Sequence, residues 1–226
     1  MNHKKAVIDA LSQSDGERAI ARYLKRHPDL VLDAFGRFGN HGNYVLSEVR
    51  LGKSLRADFV IVQGFSGGWW VDFVELESVA DAVYTKDRTP TKALRTAQRQ
   101  IADWRDYQRT EGARLHRELA IETKKDLLKR SSAAGDPITQ SGHRLRDPES
   151  FVDFNFHIVI GRRGRLSKAT LTTRSKSLHD DQIDIATYDR IVDVAAEFDI
   201  EAARSRREVL AWKRDHPSRR RQPVKL

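Results

Sequence analysis

The sequence predicts an α/β protein built on one mixed β-sheet with helices on its faces. Three strand patterns follow one another within residues 44–77, a long amphipathic helix comes next, and two more strand patterns precede a last helix. Hairpin-linked strands followed by a helix and returning strands give a mixed sheet, because the helices must bury their apolar stripes against its faces.

The elements follow in order. Ser14 and Glu17 fit an S-x-x-E capping box, and Ala19, Ile20, Tyr23 and Leu24 continue at helical spacing, so the first convincing helix starts near Ser14. His27-Pro28 interrupts it, and a second short helix covers Asp29–Phe35. Residues 36–43, with three glycines and two asparagines, read as a loop. Tyr44–Leu51 alternates, Arg56–Gln63 is rich in β-branched residues, and Trp69–Glu77 is apolar on both faces until its end. Short glycine-containing turns separate these strands, which makes a meander. Thr89-Pro90 reads as the start of a helix running to about Gln108, with Ala93, Ala97, Ile101 and Trp104 as its inner stripe. Gly112 breaks or bends it before a second piece ending near Arg130. Residues 131–150 read as a loop, Phe154–Ile160 as a strand, residues 161–181 as a basic connection, Ile183–Thr187 as a short strand, and Tyr188–Ala203 as a helix.

Composition narrows the function. The 226 residues are 39% hydrophobic, too apolar for a disordered chain, and 41 lysines and arginines against 32 acids leave a net charge of +9. Cysteine is absent, which excludes disulfides, thiolate zinc sites and a cysteine nucleophile. The N-terminal stretch is basic without the apolar run of a signal peptide, and no stretch approaches the ~18 apolar residues of a membrane span. A cytoplasmic protein without a membrane partner is expected. Residues 201–226 hold nine basic and three acidic side chains, so most of the surplus lies in a C-terminal tail suited to polyanions.

The acids of the third strand carry the chemistry. Glu75 and Glu77 are two apart and share a face. If Gln63 pairs with Trp70, Asp58 sits opposite Glu75 with β-carbons about 5 Å apart. Facing carboxylates repel unless a cation lies between them, and hard oxygen ligands suit Mg²⁺; the alternative is an exposed strand end with solvated acids. Gln100 lies on the inner face of its helix, where it either contacts the site or satisfies a backbone group. Glu17 reads as a capping-box glutamate. His27, His41, His143, His157 and His179 show no H-x-x-x-H spacing, so a histidine metal site is not expected. The glycines of Gly161-Arg162-Arg163-Gly164-Arg165 read as a basic turn rather than a phosphate loop.

The string R-A-D-F-V-I, a glycine turn, V-E-L-E and A-x-x-Q-I-x-D-W, followed by I-V-I-G-R-R at 158–163 and I-A-T-Y-D-R at 185–190, resembles the nuclease domain of the Shedu family of bacterial anti-phage proteins. That domain belongs to the PD-(D/E)XK restriction-endonuclease-like superfamily. The resemblance spans roughly residues 14–195. It implies a restriction-endonuclease-like core over residues 1–200 and a basic tail over 201–226. It implies cleavage of DNA, with RNA not excluded, using Mg²⁺ or Mn²⁺, by a homo-oligomer. Asp58 matches the first metal-binding aspartate and Glu75 the acid of the (D/E)XK motif. Gln100, with Trp104 four residues on, resembles the helical Q-x-x-x-Y element. Glu17 resembles a first-helix glutamate that assists metal binding. Glu77 stands where the superfamily has lysine; it would ligate a metal or act as a base, or the chain keeps the fold without the chemistry and serves as a nucleic-acid-binding or assembly protein.

Deleting residues 204–226 removes nine cations. The expected result is weaker DNA binding with a flatter salt dependence, measured by titration at several ionic strengths; an unchanged slope would show that the tail does not touch nucleic acid.

Overall fold

The computed structural model describes residues 2–37, 42–87, 89–130, 135–166, 172, 178–179 and 181–215. The expected loops at 36–43, 131–150 and 161–181, and the last part of the basic tail, fall partly outside the described residues.

Five strands form one sheet in the order β1 (Asn43–Leu51), β2 (Leu55–Phe65), β3 (Gly68–Leu76), β4 (Val152–Val159) and β5 (Ile183–Ala186). β1, β2 and β3 are antiparallel neighbours, and β4 and β5 add in parallel. The mixed sheet expected from the sequence is therefore present. β3 lies at its centre and is buried along both faces, which explains why its sequence is apolar on both sides.

Among the described residues five α-helices cover the sheet: α1 (His3–Leu11), α2 (Gly16–Arg26), α3 (Pro28–Phe35), α4 (Lys92–Arg130) and α5 (Asp189–Asp215). Leu94, Ala97, Ile101, Trp104, Leu115 and Leu119 of α4 pack with Val60, Val62, Val71, Phe73 and Phe156 on one face. Ile20, Leu24, Leu30, Ile191 and Ala195 of the other helices pack with Phe59, Ile61, Val74 and Val159 on the opposite face. Among the described residues, no helix is long and apolar enough to cross a membrane.

Several local expectations need correction. The first helix is α1, which precedes Ser14. Asn2 caps it by accepting from the Lys5 amide at 2.8 Å, and the Asp199 carboxylate of α5 accepts from the His3 and Lys4 amides. α2 starts at Gly16 after Asp15 and has no side-chain cap, so no Ser14–Glu17 capping box forms and Glu17 is left to other work. Pro90 is not the first residue of α4. It bridges to Tyr84, and the Thr91 hydroxyl accepts from the Leu94 amide instead. The expected bend of α4 is real and falls at Glu111 (φ −125°, ψ 29°), beside Gly112. α5 runs on to Asp215, so the start of the basic tail is helical.

The α3–α5 face also buries a chain of charges. His157 on β4 shares hydrogen bonds with Asp72 of β3 at 3.0 Å and Asp184 of β5 at 3.1 Å, and Arg190 of α5 pairs with Asp184. Burial works against a charged ring, but the two carboxylates outweigh it and the His157 pKa is raised above its ordinary 6.5. Burial likewise opposes the Asp184 anion, but His157 and Arg190 hold that carboxyl well below its usual range. Asp184 stabilises the fold above its unfolded pKa of about 4 and loses that contribution as pH falls. His157 contributes fully below about 6.5 and loses its share as pH rises through the raised value. Asp184→Asn is expected to cost about 3 kcal/mol, because it removes one of the two carboxylates on the buried ring and the partner of the Arg190 guanidinium. Urea denaturation at pH 5.5 checks this; a change within 0.5 kcal/mol, roughly the size of a surface substitution, would contradict it.

Candidate metal centre at the end of the β2–β3 hairpin

The β2–β3 register places the acids. Pairing runs from Phe65↔Gly68 through Gln63↔Trp70 to Phe59↔Val74, the alignment the sequence suggested. The ladder stops one step before Asp58 would meet Glu75. Asp58 instead turns its carboxylate to the backbone, where Oδ2 accepts from the Leu76 amide at 2.9 Å.

The cause is a kink shared by β1 and β2. Ladder pairing between these strands skips Glu48 and Asp58 and resumes at Val49↔Ala57. Glu48 has φ +57°, a left-handed conformation uncommon for a non-glycine residue. Side-chain alternation slips by one there. Leu46 and Val49 both face α4, as do Ala57 and Val60, while Phe59 faces the other helices. Asp58 is thereby turned toward the cavity that Glu17, Arg18 and Arg56 also line.

Glu75 is buried on β3, and the amide of Gln100 on α4 lies close enough to favour its ionised form. Gln100 directs its Nε2 to the Arg56 carbonyl at 2.9 Å. It thus does both things the sequence left open: it contacts the site and satisfies a backbone group. Glu77 follows the strand, with its amide bonded to the Val159 carbonyl at 2.8 Å. Glu17 comes from the first turn of α2. Asp58, Glu75, Glu77 and Glu17 are thus brought to one end of the sheet from three elements.

Their electrostatics show how close they are. Burial, then the charges of Asp58 and Glu77, raise the Glu75 pKa to about 9. Burial, then Glu17, Asp58 and Asp81, raise that of Glu77 to about 7. Burial raises Asp58, opposed by the Leu76 amide and Arg56, and burial with Asp58 raises Glu17. The cations Arg56 and Arg18 act on Asp58 and Glu17, whereas Glu75 and Glu77 are surrounded mainly by other acids.

Two residues that the sequence reading left unassigned complete the site. The buried Tyr188 hydroxyl donates to the Glu77 carbonyl at 2.6 Å. Burial and all four carboxylates push its pKa well above 10, so it keeps its proton. Gly161 fixes this contact from below. Its φ is +65°, and a Cβ there would stand 2.3 Å from the Asp81 carbonyl. Its amide bonds to the Ser78 carbonyl and its carbonyl accepts from the Tyr188 amide, both at 3.1 Å. Asp81, in the same loop, adds a fifth acid to the rim. Tyr188 lies within the I-A-T-Y-D-R string, the one signal that could have marked it.

The donor set suits a hard divalent cation. All the candidates are carboxylates, and Glu75 Oε2 is buried with no hydrogen-bond partner. Among the described residues, however, no group of three or more acidic or histidine side chains stands in a metal-holding arrangement. The acids fit such an ion in chemistry and neighbourhood without forming a ready-made cage.

A mixed sheet between two helical layers, with acids gathered at the end of its central hairpin, agrees with the mixed α/β core expected from the sequence. Over residues 14–192 the chain matches the family described as Shedu protein SduA, C-terminal, and it belongs to that family. The match takes in every strand and every candidate residue. No curated protein matches the chain.

Because the Glu75 and Glu77 carboxyls are raised, the folded protein holds more protons than the unfolded chain between about pH 4.5 and 9. Metal-free stability should therefore fall as pH rises through that window. Glu75→Gln is expected to flatten the decline and to raise the melting temperature at pH 8 in EDTA. A lower melting temperature at that pH would contradict the repulsion.

Proposed function

We propose that this protein is a metal-dependent nuclease that cleaves DNA phosphodiester bonds in anti-phage defence. The observation that carries the reading is Glu75 Oε2, buried without a partner among carboxylates that raise one another's pKa. A divalent cation would replace the protons that such a cluster otherwise holds. Membership of the Shedu family supports the defence role, and the basic chain supports a polyanionic substrate.

Asp58 and Glu75 would hold Mg²⁺ or Mn²⁺, with Glu17 and Glu77 at its margin. A divalent ion held there supplies positive charge against the phosphate and a nucleophile at neutral pH. Gln100 ties α4 to the start of β2 and steadies Glu75. Glu77, which stands where the superfamily has lysine, would take a proton from the attacking water. Tyr188 and Gly161 keep the Glu77 backbone fixed while the carboxylate moves that proton.

A second reading has its own support. Glu77 in the lysine position, and the lack of a ready three-ligand group among the described residues, suit a non-catalytic nucleic-acid-binding or assembly protein.

Glu77→Lys separates the possibilities. With Mg²⁺ and linear or supercoiled DNA, cleavage by this variant is expected to fall about 100-fold if Glu77 moves a proton or binds metal. Retained or increased cleavage would make Glu77 a mere replacement for lysine. Wild-type protein that cleaves neither DNA nor RNA with either ion, under conditions where it binds them, would leave the non-catalytic reading standing.

A further inference from the structure

A cavity of about 360 Å³ opens beside Asp58 and is lined by Glu17, Arg18, Arg22, Lys25 and Arg56. Arg18, Arg22 and Lys25 stand four and three residues apart, so α2 presents them along one face. Glu48 reaches into this cationic group from the β1 kink. One carboxylate oxygen accepts from Lys25 Nζ at 2.7 Å and the other from Arg56 Nη2 at 2.5 Å.

We propose that Lys25 and Arg56 form a subsite for a nucleic-acid backbone phosphate next to the acid cluster, and that the Glu48 carboxylate fills it as an internal stand-in for that phosphate. The proposal rests on the nuclease reading for the identity of the polyanion.

Two observations support it independently. The first is geometric. A carboxylate with its two oxygens on two different cations presents the charge and spacing of the two non-bridging oxygens of a phosphodiester. The second is the backbone. Glu48 is held at φ +57°, and the β1–β2 ladder is broken there. Ion pairs as exposed as these, with side chains 51–55% accessible, contribute little to stability. A strained acid kept for weak surface pairs is explained by function rather than by folding. The same exposure makes the pairs easy to exchange. A phosphodiester carries one negative charge, as Glu48 does, so a strand entering toward Asp58 can displace the side chain without leaving either cation unpaired. Glu48 then sets a threshold: only a strand with enough other contacts can compete with it.

The test is a mutant cycle on the full chain. Binding of a DNA duplex, and of an RNA duplex as a separate arm, is measured by fluorescence anisotropy in EDTA, with melting temperature as the folding control. Cleavage with Mg²⁺ is assayed separately. Glu48→Gln is expected to tighten binding five- to tenfold in the wild-type background and to change nothing in a Lys25→Gln/Arg56→Gln background. The double change is expected to weaken binding and to lower the salt slope by about one. An unchanged or weaker Kd for Glu48→Gln, or an effect that persists without Lys25 and Arg56, would overturn the subsite. Binding that obeys the cycle without any cleavage would sustain the subsite and remove the nuclease reading. No binding of either duplex by any variant would overturn both.

Discussion

The hydrogen bond from the Leu76 amide to Asp58 Oδ2 is where the order of the sheet ends and the site begins. Up to Phe59↔Val74 the β2–β3 hairpin is an ordinary ladder, held by apolar side chains that pack on both helical layers. Beyond that pair the backbone of β2 turns away, and an Asp side chain takes the place of a strand carbonyl. That exchange keeps Asp58 beside the end of β3, where Glu75 and Glu77 emerge. The kink at Glu48 accompanies this parting of strands, Gln100 of α4 bonds the Arg56 carbonyl beside it, and α2 brings Glu17 to the same end of the sheet.

The sheet carries two groups of charges, and the contrast between them is informative. Asp72, Asp184, His157 and Arg190 are arranged so that each acid meets a cation, and the chain ties β3, β4, β5 and α5 together. At the open end of the hairpin the acids have no such partners in sufficient number, and their pKa values rise instead of falling. Burial acts on both groups. The difference lies in the sign of the neighbours: cations in the first group, mainly other acids in the second. The stable cores on either face let the fold tolerate that local repulsion.

Much of this was legible in the sequence because it depends on short-range patterns. The alternation of β1, the β-branched residues of β2, the two-sided apolarity of β3 and the glycine turns set the hairpin, and one assumed pair, Gln63 with Trp70, set its register. Gly112 marked the bend of α4 to within one residue. What was not legible depends on partners far along the chain. α1 buries only Val7, Ala10 and Leu11, and its N-terminus is completed by Asp199. His157 looked solitary because Asp72 and Asp184 reach it only through the parallel pairing of three strands. The left-handed Glu48 has no sequence signature at all, and Thr89-Pro90 imitated a helix start that Thr91 supplies.

In the proposed site the carboxylates at the hairpin end would share a divalent cation. The most direct measurement is binding of Mn²⁺ to the full chain, followed by loss of the free-ion electron paramagnetic resonance signal at pH 7 and pH 8.5. The expected result is saturable binding that strengthens with pH, as the raised carboxyls of Glu75 and Glu77 lose their protons, and that is lost in Glu75→Gln. Binding that is absent, or that is the same in wild type and Glu75→Gln, would contradict it.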